Sequence, residues 1–196
     1  MATVTIPFGG NSLQFEVPDR NLALVLKPNA STPLADLDAA IHAALANPIG
    51  QPPIEQWVKP SDRVLLVSDD NTRLTPADRM IPPLLTRLNA AGVPDRNIAC
   101  IMALGTHRYM TDDEMVAKVG QGAWRRIRVF NHAWREAENL VELGTSSAGT
   151  PLQVNRAVVE ADVIIGLGAI VPHHIPGYSG SSKIIQPGVC GPKTTA

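Results

Sequence analysis

The sequence predicts an α/β fold: a mostly parallel, Rossmann-like sheet with helices on both faces, preceded by a small N-terminal β element. Three observations carry this. Apolar runs at 63–67 (RVLLV), 97–104 (NIACIMAL) and 162–170 (DVIIGLGAI) have strand length and the unbroken hydrophobicity of strands buried on both faces. Between them lie stretches bearing helix start and stop signals. The first thirty residues read differently, as extended segments around a turn. The chain has 196 residues, 44% of them hydrophobic, enough for one cored domain and a small appendage. We therefore expect residues 1–30 to form a β element packed on the main domain, and 31–196 to form an α/β domain that binds cofactor and substrate.

Each element has its own justification. VTIPF and LQFEV flank Gly9-Gly10-Asn11, a hairpin turn signal, and Ala23 to Leu26 adds a third extended run. Ser31 or Thr32 can cap a helix with Pro33 in its first turn and Leu34, Leu37, Ile41 and Leu45 on one face, ending near Asn47-Pro48. A Pro-rich connection follows through Pro60, with Trp57 as its anchor on the body. Pro76 to Ala91 reads as helical, with a break near Pro82-Pro83 and a stop at Gly92. Thr111-Asp-Asp-Glu114 is a capping box for a helix ending at Gly120. IRVFN (127–131) and LVELG (140–144) are further strands. No repeat or low-complexity segment interrupts this order.

Charge and composition narrow the function. Lys and Arg number 17 against 18 Asp and Glu, a net charge of −1, so no broad field exists to hold nucleic acid or an acidic membrane. A small, locally recognised ligand is expected instead. MATVTIPFGG lacks a basic start followed by an apolar core, and the longest apolar stretch, Val163 to Val171, is too short to span a bilayer. These features predict a cytoplasmic protein. Two cysteines are too few for a disulfide framework and are not spaced as zinc ligands; Cys100 lies in an apolar run, and Cys190 follows the lysine loop discussed below.

Polar clusters follow all three buried runs: SDDNTRLTP (68–76), GTHR (105–108) and HHIPGYSGSSK (173–183). Ligands of open parallel sheets bind beyond the carboxyl ends of the strands, so the three clusters are placed to converge. Asp69, Asp70 and Arg73 can serve as turn and cap residues; alternatively Arg73 offers a planar fork to a carboxylate or phosphate while Asp70 orients a donor or a histidine. His107 can be a plain surface histidine or a proton carrier, and adjacent His173 and His174 should point to opposite faces, leaving one for the pocket. His42 and His132 receive no chemistry.

The loop around Lys183 is neither of the common nucleotide patterns. Counting G-x-x-x-x-G-K-[ST] from Gly177 puts Ser182 at the second glycine and Ile184 at the magnesium-binding hydroxyl, and no G-x-G-x-x-G opens a helix. Backbone amides and the hydroxyls of Ser179, Ser181 and Ser182 can still cradle an anion, with Gly177 and Gly180 allowing close approach and Lys183 as counter-ion or nucleophile.

Four motifs together resemble the nickel-pincer lactate racemases and related 2-hydroxyacid racemases and epimerases. They are D-x-T-R (Asp70 to Arg73), A-L-G-x-H-R (Ala103 to Arg108), L-G-T-x-S-x-G-T-P (Leu143 to Pro151), and the series His173, G-Y-S-G, Lys183, P-G. Order and spacing agree from about residue 60 to 191. The resemblance implies the N-terminal domain of an isomerase. Its cofactor would be a nickel pyridinium-bis-thiocarboxylate mononucleotide tethered to Lys183, with Thr72 and the 177–182 loop helping to hold it. His107 and His173 would be the acid-base pair, Arg73 would grip the substrate carboxylate and Asp70 would line the site. A 2-hydroxyacid or sugar acid would be inverted by transient hydride transfer, since proton removal at carbon would build a poorly stabilised dianion. Partners would be that small substrate and the enzymes that make the cofactor.

The resemblance also implies a second half, carrying the histidine that ligates nickel, beyond Ala196. The chain as given is therefore expected to be inactive alone. Ser181, Ser182 and Gln186 depart from the family's usual residues and leave the substrate open. A non-catalytic phosphate- or carboxylate-binding module is the alternative reading, and a lysine Schiff-base enzyme a third.

Overall fold

A computed structural model describes residues 1–27, 29 and 31–195. They form two compact units, Met1–Ala35 and Asp36–Ala196; Ala30, the boundary expected from the sequence, lies outside the described residues. The first unit is the hairpin of β1 (Ala2–Phe8) and β2 (Asn11–Val17), paired antiparallel from Ala2↔Val17 to Phe8↔Asn11. The expected third run, Ala23 to Leu26, is not a strand, and Leu24 and Leu26 are exposed.

In the second unit the first helix, α1 (Leu37–Ala46), starts later than Ser31 or Thr32 would have placed it. Asp36 is the cap, its carboxylate accepting the Ala39 N–H at 3.0 Å, so Leu34 stays outside the helix and exposed. Trp57 is 43% exposed, and Val58 and Ile54 meet the core in its place.

Four parallel strands form the central sheet. They are β3 (Val64–Asp69), β4 (Ile98–Ala103), β5 (Arg128–Asn131) and, after the two strands described next, β8 (Val163–Leu167), in the spatial order β5-β4-β3-β8. Between β5 and β8 come β6 (Leu140–Thr145) and β7 (Pro151–Asn155), an antiparallel pair separate from that sheet. The expected strand at 140–144 therefore forms, but not as part of the parallel sheet.

Alternation along β3 sends Val64 and Leu66 to one core and Leu65 and Val67 to the other. On the first side pack α2 (Ala77–Ala90), α3 (Asp112–Val119) and α4 (Gln121–Arg126); on the second pack Ala157 and Val158 of α5 (Arg156–Glu160) and Ile184 of a single 3-10 turn, Ser181–Ile184. β8 is an edge, so Ile164 is 42% exposed rather than buried as a two-faced strand would be.

α2 runs through Pro82 and Pro83 without the expected break, because Ile81, Leu84, Leu85 and Leu88 all enter the core, and that burial outweighs two missing amide donors. It ends as read: Gly92 at φ +90° donates to Asn89 O and Val93 to Leu88 O, with Leu88 and Val93 both buried. The Thr111 capping box is complete in both directions.

Candidate active site

The carboxyl ends of β3, β4 and β8 open into one cavity of about 390 Å³. Asp70 and Arg73 reach it from the first end, His107 from the second, and His173, Ser179, Gly180 and Lys183 from the third. Thr72, Gly177, Ser181 and Ser182 do not line it. Thr72 instead bonds Asp70 through its amide and hydroxyl. Gly177 belongs to a two-residue ladder between β9 (Pro172–His173) and β10 (Gly177–Tyr178). Ser181 faces a separate apolar hollow beside Ile164, Ile170 and Ile184.

Asp70 is 3% exposed and holds the geometry of the first two loops. Its Oδ1 accepts from the Thr72 N–H at 3.0 Å and the Thr72 hydroxyl at 2.5 Å, while Oδ2 lies 2.6 Å from His107 Nδ1. Burial pushes its carboxyl up, but the Thr72 hydroxyl, the His107 ring and the Thr72 amide outweigh that and hold it below the usual carboxylate range. An ionised Asp70 makes Nδ1 of His107 the protonated nitrogen, leaving the Nε2 lone pair with no partner among the described residues. The His107 backbone is held too: its carbonyl accepts the Trp134 indole N–H at 2.9 Å, and Gly105, at φ +56°, donates to Gly188 O.

His173 has the opposite tautomer. Its Nδ1 accepts the Ile175 N–H at 3.1 Å, so the neutral ring carries its proton on Nε2. Burial, then Lys183, His174 and Arg73, push it down from its ordinary value, which favours that neutral form. His174 does not point to the opposite face as alternation would require: it begins the turn after β9, and its ring stacks on that of His173, centroids 4.9 Å apart. Only His173 lines the cavity.

Lys183 has no ion-pair partner among the described residues, and burial followed by the nearby Arg73 charge pushes its ammonium down. Glycines seat its turn. A Cβ on Gly180 would stand 2.9 Å from Ala169 O, and one on Gly188 only 2.0 Å from Ile184 O. Gly188 N donates to Lys183 O, and its own carbonyl takes Gly105, so this residue ties the lysine turn to the His107 loop. Ser179 acts within its loop: its hydroxyl donates to Ala169 O and accepts from Val171 N.

Sequence reasoning missed two contributors. Lys118 is 8% exposed, with Nζ 2.7 Å from Asp69 Oδ1 as an ion pair rather than an aligned hydrogen bond; it also donates to the carbonyls of Arg73 and Thr75. Its spacing from Met115 puts it on the buried face of α3, a signal available in the sequence. His132 is fully buried, its Nε2 donating to Cys190 O and its Nδ1 accepting from Asn155, and it braces the segment after Lys183. The motif at 143–151 forms the β6-β7 turn, outside the cavity.

Fold and cavity together define a class: a Rossmann-like α/β domain with a cationic crevice at its strand ends and imidazoles equipped for proton transfer. The family follows from comparison. The Lactate racemase N-terminal domain family matches residues 8–196, and the chain belongs to it. It is 31% identical over 191 residues to the lactate racemase of Thermoanaerobacterium thermosaccharolyticum and 29% identical over 196 residues to that of Lactiplantibacillus plantarum. It covers 96% and 99% of itself in these matches but 45% and 46% of those proteins, so it spans about half their length. The T. thermosaccharolyticum lactate racemase apoprotein superposes at TM-score 0.82 with 30% identity, over 99% of this chain and 45% of that one. A Thermotoga maritima protein superposes at 0.66 with 28% identity, over 81% and 39%. Among the described residues no helix is long and apolar enough to cross a membrane.

Proposed function

We propose that this chain is the cofactor- and substrate-binding part of a racemase or epimerase that inverts a 2-hydroxyacid. The observation that carries the reading is the meeting of Arg73, His107, His173 and Lys183 around one cavity. Their chemistry fits the family's lysine-tethered nickel pyridinium-bis-thiocarboxylate mononucleotide. A lysine without a counter-ion and with a lowered pKa is the amine a covalent tether needs, and Lys183 would hold the group there. Among the described residues no three His, Cys, Asp or Glu side chains gather as a metal site, so the chain itself offers a tether and anion contacts. The group, when bound, supplies a reversible acceptor for hydride.

The chain's own residues do the rest. Arg73, whose guanidinium has no carboxylate partner among the described residues, takes the substrate carboxylate. The free Nε2 of His107 is set to take the hydroxyl proton as the substrate is oxidised to its planar keto acid, and Asp70 stabilises the resulting imidazolium. His173, whose neutral ring carries its proton on Nε2, is set to hydrogen-bond the keto oxygen as the centre is rebuilt from the other face, and the proton that completes the new hydroxyl returns from the His107 imidazolium through solvent. The two tautomers are complementary: one ring nitrogen accepts the substrate proton and the other polarises the carbonyl.

The test is intact-mass and peptide analysis of the full-length protein co-produced with cofactor-making enzymes. An adduct on Lys183, with nickel, and racemisation of a 2-hydroxyacid are expected, and Lys183→Arg should abolish all three. Persistent absence of adduct and nickel overturns the reading. Retained ligand binding and function in Lys183→Arg would favour an anion-binding module.

A further inference from the structure

Helix α3 carries two charged side chains one turn apart, Glu114 and Lys118, and both reach the Asp69–Thr75 turn. The chemistry above uses neither. The Glu114 carboxylate accepts from Arg108 at 2.5 and 2.7 Å, from Asn71 Nδ2 at 3.0 Å and from the Thr111 N–H at 2.9 Å. Asn71 belongs to the turn bearing Asp70 and Arg73, and Arg108 follows His107. One carboxylate therefore bonds both loops to the start of one helix. Arg108 outweighs the other influences in holding Glu114 at a pKa of about 2, so the contact is ionic at every working pH.

Lys118 grips the same turn from its far side, through the Asp69 carboxylate and the carbonyls of Arg73 and Thr75. Burying an ammonium is strongly unfavourable unless it is paired, and every contact it makes lies within that turn. The His107 side chain is 53% exposed, and among the described residues the one hydrogen-bond partner of its ring is Asp70, so its direction depends on how the two loops stand to each other. A shift of about 1 Å between them would part a 2.6 Å contact.

We propose that Glu114 and Lys118 are positioning residues: α3 clamps the Asp70–Arg73 turn to the His107 loop and thereby sets the Asp70–His107 contact and the direction of Arg73. The significance of this rests on the reading of His107 and Arg73 given above, but its test involves neither Lys183 nor turnover. Failure of that reading, seen as a missing lysine adduct, would leave the result below unchanged.

The test is the ring-nitrogen chemical shifts of His107 in the 15N-labelled chain, read through the carbon-bound ring protons, which report the tautomer. The wild type should show the form protonated on Nδ1. In Glu114→Gln and Lys118→Met the fraction of that form should fall about twofold or more. Leu88→Ala, which loosens the core without touching either loop, should keep the wild-type pattern. If Lys118→Met fails to fold, Glu114→Gln at the partly buried helix start carries the test alone. An unchanged pattern in the folded variants overturns the proposal, and so does an equal change in Leu88→Ala, which would reduce the effect to general loosening.

Discussion

Gly188→Ala is the sharpest probe of how the lysine turn is held. The added methyl would lie 2.0 Å from Ile184 O, 2.7 Å from its carbonyl carbon and 3.0 Å from the Ala103 Cβ. Two of these are backbone atoms, so no rotamer change relieves them, and the turn bearing Lys183 has to move away from the end of β4. Overpacking of this kind costs about 1–3 kcal/mol, and a backbone collision belongs at the upper end. For a domain of this size each kcal/mol lowers Tm by about 2–4 °C, which predicts a fall of roughly 6–12 °C. Two controls calibrate the figure. Gly122→Ala, with nothing within 4 Å and a place in α4, should be neutral or stabilising by about 0.5–1 kcal/mol. The three atoms nearest an added Cβ at Gly191 all belong to the Gln153 side chain, which can turn away, so Gly191→Ala should cost less than Gly188→Ala. Thermal unfolding followed by circular dichroism measures all three. A Gly188→Ala midpoint within about 1 °C of wild type would refute the account of the turn as seated by close backbone contact.

Three more outcomes follow from the same geometry. Lys183 should react with an amine-directed reagent at neutral pH faster than Lys59 or Lys193, by peptide mapping, and Arg73→Ala should slow it by removing the neighbouring charge; equal rates would contradict the lowered pKa. Burial depresses His132, against a smaller opposing effect of the Cys190 carbonyl, so the folded state binds its proton less readily than the unfolded chain does. Stability should therefore be complete above the ordinary value of 6.5 and decline as pH falls through it, because a protonated Nδ1 would face the Asn155 donor; His132→Gln should flatten that limb of the Tm profile. Trp134→Phe removes one solvent-exposed hydrogen bond to His107 O and should cost about 0.5–1 kcal/mol, read by denaturant unfolding, while an unchanged midpoint would mean that the indole contributes only packing.

Most of the sheet was legible because its signals are local and redundant. Val64–Asp69 and Ile98–Ala103 are continuous apolar runs, and the stop at Gly92 and the box at Thr111 depend on residues three or four apart. Convergence of the three polar clusters was legible for a topological reason, since parallel strands carry their following loops to the same edge. What escaped was decided by distant partners. The break expected at Pro82 is overridden by core contacts from other elements. Strand β7 begins at a proline and exists because β6 pairs with it. The Ser179 hydroxyl looked available in the sequence but is engaged by Ala169 and Val171, which only the folded loop brings to it. The spacing of Lys118 from Met115 marks its face of α3 as buried, but the carbonyls it binds lie more than forty residues away in sequence and only the fold brings them to it.

The charge of the site follows from those hidden partners. Asp69 and Asp70 stand side by side at the end of β3 and both line the cavity, so a count of formal charges would set two anions against Arg73 and Lys183 and find little attraction for a carboxylate. Contact geometry changes the sum. Asp69 is neutralised from behind by Lys118, and both oxygens of Asp70 accept hydrogen bonds from Thr72 and His107. The field of the Asp69–Lys118 pair falls off faster than that of a single charge, whereas Asp70, bonded only to neutral donors, keeps its charge, and Arg73 and Lys183 have no counter-ion among the described residues. A chain of net charge −1 thus presents a locally positive crevice. Removing the Lys118 charge would expose Asp69 and weaken the crevice's attraction for anions even with Arg73 and Lys183 intact.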